Sequence, residues 1–312
     1  MKLSGMAEAG NVFAHADAVV SEPVYFLLHV PKCAGQTVDS HIMAHAPPGS
    51  YYLPRKRRGM ARRILRAYDA WDMPDPSRLR IVNGHWIGRS LESRFGDREI
   101  RRAVLLRDPL SHAISYYNYR MMRYRSNGQG AYEFDVAYRA ASRDPVCHFL
   151  LYRYLEIPWV RLCVMSTQDK YDLLNRCFNR FWFAADYGRC DDLIVSLAEA
   201  LGMPNRAVRE NTGDDWHKRV DWTPLTADDL TAAQRSRIVE DNILDQLLWE
   251  SWREAGHDTA NIRPKPLPGK ACKAFITNEA LRPWYQVERR WKRATGAIPA
   301  TVDTRHSTAK RD

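Results

Sequence analysis

Between Val24 and Ser40 the sequence reads V-Y-F-L-L-H-V-P-K-C-A-G-Q-T-V-D-S, and few folds accommodate such a run. Val24 to Val30 is almost continuously apolar and rich in β-branched and aromatic residues, as in a strand covered on both faces of a parallel sheet. Pro31 ends the ladder, Gly35 permits a tight turn, and a helix starts at Gln36 and stops near Ala46, before Pro47, Pro48 and Gly49. A strand, a short loop and a helix start aim unpaired N–H groups and the positive helix end at the loop, and Lys32 adds a full charge. The unit is an anion cradle in outline. It is not the Walker form, G-x-x-x-x-G-K-[ST], because Lys32 precedes Gly35 by three residues.

The same alternation continues along the chain. Strands are expected at Arg80–Asn83, followed by Gly84, His85 and Trp86, and at Arg102–Leu106, followed by Arg107, Asp108 and Pro109. Pro109 suits the first turn of a helix running to about Tyr124. Asn127, Gly128 and Gly130 open a mostly helical insertion that extends to about Glu156. Phe181–Ala185 reads as a strand, Asp191–Leu201 as a helix closed by Gly202 and Pro204, and Ser236–Trp252 as one long amphipathic helix. There is no internal repeat. Strands separated by helices predict a three-layer α/β fold, P-loop-like, with a central parallel sheet flanked by helices. The expected organisation is a flexible lead-in at 1–22, a catalytic-sized domain at 23–256 with its helical insertion near 125–160, and a basic extension at 257–312.

Composition narrows the partners. With 45% hydrophobic and 11% aromatic residues in 312, wholesale disorder is excluded. The first twenty residues carry Glu8 and Asp17 and no sustained apolar run, which fits neither a signal peptide nor a membrane span, so a cytoplasmic protein is expected. Six cysteines without a C-x-x-C pair indicate neither a zinc site nor a disulfide framework. The net charge of +10 is uneven: from His257 onward there are 12 Lys and Arg against 5 Asp and Glu. Arg55, Lys56, Arg57, Arg58, Arg62, Arg63 and Arg66 form a second basic cluster. Both favour anionic partners. Met60, Ile64, Leu65, Tyr68 and Trp71 fall at helical spacing beside that cluster, as in a surface helix packed on the core, a flap over an anionic acceptor, or an anionic membrane-surface contact.

From Ala103 the chain reads A-V-L-L-R-D-P-L-S-H-A-I-S-Y-Y-N-Y. Together with P-K-C-A-G-Q-T at Pro31 it resembles the sulfotransferases that use 3′-phosphoadenosine 5′-phosphosulfate (PAPS). Their phosphosulfate loop is commonly P-K-[TC]-[GA]-[GS]-[ST]-[ST], and their 3′-phosphate motif places a Ser eight residues after a strand-end Arg. Ala34 and Gln36 depart from the loop pattern, leaving Thr37 as its hydroxyl. N-G-H-W at Asn83 is similar to the H-G-H of the glycan uronyl 2-O branch, with Asn83 in place of the first His. F-W-F-A-A-D-Y, E-N-T-G from Glu210 and D-N-I-L-D-Q-L-L-W from Asp241 extend the resemblance weakly over about residues 24 to 254.

The resemblance implies that Lys32, Cys33, Ala34, Gly35, Gln36 and Thr37 hold the 5′-phosphate, with Lys32 also stabilising the leaving oxygen. It implies that Arg107 and Ser115 hold the 3′-phosphate and that His85 is the general base. Lys218 and Arg219 either close over the 3′-phosphate or form a solvated loop. PAPS would be the donor, with no metal, and a glycan or glycolipid hydroxyl the acceptor. Two other readings stay open: a P-loop kinase or NTPase, weakened by the position of Lys32, and a nucleic-acid-binding protein driven by the basic tail, which lacks a recognised binding module.

Overall fold

A computed structural model describes residues 22–54, 73–126, 133–206, 223–268 and 287. The lead-in up to residue 21, the Arg55–Arg66 cluster with the Met60–Trp71 helix, the Asn127–Gly130 loop, the Glu210 motif, Lys218, Arg219 and most of the basic extension lie outside the described residues.

Five apolar residues, Val24–Leu28, form β1, and every one of them is buried. A strand dry on both faces needs a hydrogen-bonding neighbour at each edge and apolar cover on each side. Both are present. β1 pairs in parallel with β3 (Ile81–Gly84) on one side and with β4 (Ile100–Leu106) on the other. β2 (Tyr51–Tyr52) and β5 (Phe183–Asp186) complete an all-parallel sheet in the order β2-β3-β1-β4-β5. The protein is therefore α/β, with a five-stranded parallel sheet flanked by helices.

Helix α1 (Gly35–His45) leads away from β1 toward the β2 side, while α2 (Pro109–Ser126) follows β4 and begins the path to β5. The connections diverge at the carboxyl ends of β1 and β4, which is where open α/β sheets leave a crevice. The expected strand over Val24–Val30 ends two residues early. Val30 N–H turns back to the Leu28 carbonyl at 2.8 Å while His29 N–H reaches the Gly84 carbonyl at 3.3 Å, so the chain bends before Pro31.

The insertion is helical: α3 (Phe134–Arg139), α4 (Pro145–Phe149), a π-helical turn at Leu150–Tyr154 and α5 (Trp159–Val164). Helix α6 (Thr167–Phe178) follows and is capped by the Ser166 side chain, which accepts from Asp169 N–H. Helix α7 (Cys190–Leu201) ends at Gly202, whose φ of 67° is the left-handed cap expected of glycine. Between Gly256 and Pro268 the chain keeps contact with the core, with Thr259 buried and Ile262 and Leu267 packed against it.

The single helix expected over Ser236–Trp252 is two, α8 (Ala232–Asp241) and α9 (Ile243–Trp252), with Asn242 non-helical at φ −127° and ψ 48°. The cause is a pair of reciprocal caps. Asp144 Oδ1 accepts the N–H groups of Leu244 and Asp245 at 2.9 and 3.0 Å, while Asp245 accepts those of Val146 and Cys147 at 2.9 and 2.8 Å. Asn242 Oδ1 accepts Asp144 N–H at 2.8 Å. Each carboxylate satisfies the orphan donors at the start of the other segment's helix. Burial pushes the Asp245 carboxyl above the usual carboxylate range, against the lowering effect of its N–H donors. No helix among the described residues is long and apolar enough to cross a membrane.

Replacing Asp245 by Ala strands two buried N–H groups, so Asp245→Ala is expected to cost about 3 kcal/mol. Urea unfolding measures this, and a loss below 1 kcal/mol would show that water replaces the carboxylate.

Candidate functional site

Leaving β1, the chain reverses within four residues through two left-handed conformations, Lys32 at φ 69° and Ala34 at φ 58°. Non-glycine residues adopt this region only when their surroundings hold them there. Cys33 is one restraint: its side chain is 2% exposed and lies in the core, and its N–H donates to the Val30 carbonyl at 3.3 Å. Burial pushes the thiol far above its usual range. Cys33 therefore shapes the loop and offers it no ligand atom. Thr37 N–H donates back to Ala34 at 3.0 Å. Gly35 and Gln36, at the first two helical positions, have no intrahelical acceptor for theirs. Gln36 is exposed; Thr37 and Lys32 are half-buried.

Gly35 is fixed by sterics. A Cβ there would lie 1.9 Å from His29 Cδ2 and 2.2 Å from Nε2, so the His29 ring occupies the space a side chain would need.

Arg107, at the end of β4, joins the two motifs: its Nη1 donates to the Lys32 carbonyl at 3.0 Å. Its guanidinium stacks on the Tyr187 ring, 4.1 Å from the centroid. The Nε is buried without a hydrogen-bond partner. In this half-buried crevice burial, and then the neighbouring Arg107 charge, lower the Lys32 ammonium to about 8. Lys32 Nζ lies over the Tyr119 ring, 4.5 Å from its centroid. Ser111, Ser115 and Tyr119 share one face of α2 at four-residue intervals, so half-buried Ser115 lies one turn from the ring that carries Lys32. Asp108 caps this helix by accepting Ser111 N–H at 2.9 Å, and His112 Nε2 meets the Pro31 carbonyl at 3.0 Å.

His85 follows β3. Its Nδ1 lies 2.6 Å from the His29 carbonyl; a carbonyl can only accept, so Nδ1 carries the proton and the lone pair is at Nε2. Burial and the neighbouring His29 lower its pKa to about 4, which keeps the ring neutral at physiological pH.

Two residues near His85, His29 and Asp39, were not singled out from the sequence. The His29 ring lies 3.9 Å from that of His85, and His29 Nδ1 lies 3.2 Å from Asp39 Oδ2. The buried Asn83 amide donates to the other Asp39 oxygen. Asn83 thus occupies the place of a first histidine in the motif and anchors the carboxylate that pairs a different one. The only signal was a histidine inside an apolar strand run.

No protein-family model matches the chain, and no curated protein matches it. Among solved structures it is similar to a sulfotransferase from Alicyclobacillus acidocaldarius, at 14% identity over 72% of this chain and 93% of that chain, with a TM-score of 0.38.

Gly35→Ala is expected to destabilise the fold by about 1–3 kcal/mol through overpacking, and by clearly less in a His29→Ala background. A double-mutant cycle by urea denaturation measures the coupling; equal costs in both backgrounds would remove His29 as the reason for the glycine.

Proposed function

We propose that the chain is a PAPS-dependent sulfotransferase acting on a hydroxyl. The observation that carries this reading is the bond from Arg107 to the Lys32 carbonyl, which brings two sequence-distant motifs into one cationic crevice. The residues fit a doubly phosphorylated nucleotide. Gly35 and Gln36 N–H with the Thr37 hydroxyl face the 5′ end, and Lys32 serves the bridging oxygen. Arg107, with a buried donor still unused, and Ser115 serve the 3′-phosphate, the group that separates this nucleotide from ATP.

PAPS would supply the sulfuryl group: the sulfur bond to the acceptor oxygen forms as that to the phosphate oxygen breaks, and adenosine 3′,5′-bisphosphate departs. The protein's part is positioning, charge stabilisation and proton removal. His85 Nε2, unprotonated, takes the acceptor proton. His29, supported by Asp39 and Asn83, fixes the His85 tautomer through its carbonyl. The basic cluster at 55–66, which suits an acidic glycan or a lipid-linked acceptor, lies outside the described residues.

Calorimetry tests the donor site. Adenosine 3′,5′-bisphosphate should bind while AMP, ADP and ATP with Mg²⁺ bind far more weakly, and Arg107→Ala should cost about ten- to a hundredfold in affinity. Preferential binding of ATP would favour a kinase or NTPase.

A bound phosphate raises the Lys32 pKa from about 8, so binding takes up a proton above that pH. Bisphosphate affinity is expected to hold below pH 8 and to fall by up to about tenfold per unit above it, unlike in Lys32→Met, whose weaker affinity should not show that fall. His85→Gln should lower kcat by about 10²–10⁴-fold and leave bisphosphate affinity unchanged; retained turnover would assign proton removal elsewhere.

A further inference from the structure

A cavity of about 290 Å³ lies beside the loop, between α2, α3 and the segment leading into α4, with Val30 and Pro31 in its wall. Tyr116, Tyr117, Tyr124, Phe134, Tyr138 and Phe149 supply much of the rest. Two of its wall residues neighbour the groups proposed to react, although Lys32 and His85 are not themselves among the lining residues. Pro31 immediately precedes Lys32, and the Phe149 ring stands edge-on to His85 with centroids 6.4 Å apart. Tyr116 is 37% exposed, so the cavity meets solvent on that side.

The polar side chains of the wall are largely engaged with one another. Asn242 Nδ2 donates to Tyr138 OH at 3.1 Å and to the Ile238 carbonyl at 2.6 Å, and Tyr138 OH donates to Asp241 at 3.2 Å. His112 is committed to the Pro31 carbonyl and, lowered by burial to about 4, is neutral. Arg120, the one cation among the described lining residues, which include no carboxylate, is bonded to the Tyr124 hydroxyl. Ring faces and alkyl groups make up most of what faces the cavity, together with the Ser142 hydroxyl and the remaining Arg120 N–H groups. A sugar here would bury more hydroxyls than these few polar groups can pair, at a cost for each one left over, whereas a flat apolar body would replace water on aromatic walls at a gain.

Resting on the sulfotransferase reading, we infer that this cavity is the acceptor site and that the acceptor is a flat, ring-bearing apolar alcohol or phenol rather than a glycan. Its hydroxyl points toward Lys32 and His85, the new O–S bond forms there, and the proton passes to His85 Nε2.

The test uses the full chain, calorimetric titration with 4-phenylphenol and with a glucuronate-containing disaccharide, and transfer of label from PAPS to each. Ala113→Leu and Ala137→Leu both fill the cavity, and adenosine 3′,5′-bisphosphate affinity reports the fold and donor site of each variant. The expected result is binding and sulfation of 4-phenylphenol alone, weakened at least tenfold by both substitutions with bisphosphate affinity unchanged. Three results would overturn the inference: sulfation of the disaccharide in preference, 4-phenylphenol binding that survives both substitutions, or bound 4-phenylphenol left unsulfated by protein that binds the bisphosphate. If the bisphosphate fails to bind while 4-phenylphenol binds, the sulfotransferase reading falls and the ligand class of the cavity stands.

Discussion

The position of β1 between β3 and β4 governs everything downstream of it. Five consecutive buried residues cannot sit at a sheet edge, so the strand must be paired on both sides. Its outgoing chain then emerges between the ends of two other strands, and each of those delivers a side chain to the same place: His85 after β3 and Arg107 at the end of β4. The left-handed turns at Lys32 and Ala34 are the local cost of reversing there. Core placement of Cys33 and the bond from Arg107 to the Lys32 carbonyl hold them.

Two chemical environments meet across this loop. On one side lie N–H groups and paired cations whose mutual repulsion an anion would relieve. On the other lies the aromatic cavity, its wall polar groups largely spent on each other. Pro31 and Lys32 are adjacent residues with opposite surroundings, and His85 lies at the boundary with His29 behind it and Phe149 alongside.

Much of the sheet was legible because buried parallel strands are short apolar runs, and Lys32, Gly35, His85 and Arg107 stood at their ends. The reasons for those residues were less legible. Gly35 looked like a turn residue, yet its constraint is the His29 ring, and His29 looked like part of a strand. The amphipathic period ran unbroken through Asn242 because the groups that interrupt the helix, Asp144 and its N–H, lie about a hundred residues away in sequence. Helix α6 did carry a local signal, Ser166 with Asp169 three residues on, that the sequence reading passed over. The cavity had none, since its walls come from four separate segments.

The exchange of carboxylates between Asp144 and Asp245 also bears on how the chain is made. During vectorial synthesis β1, β3, β4 and α2 leave the ribosome first, and the strands and cationic loop can assemble early. The cavity wall that ends at α4 lacks its partner cap until residues past Asp245 emerge. The nascent protein thus holds its cationic crevice before its aromatic cavity has a fixed shape, and aromatic surface that the finished fold encloses remains open to chaperones for the translation of about a hundred residues.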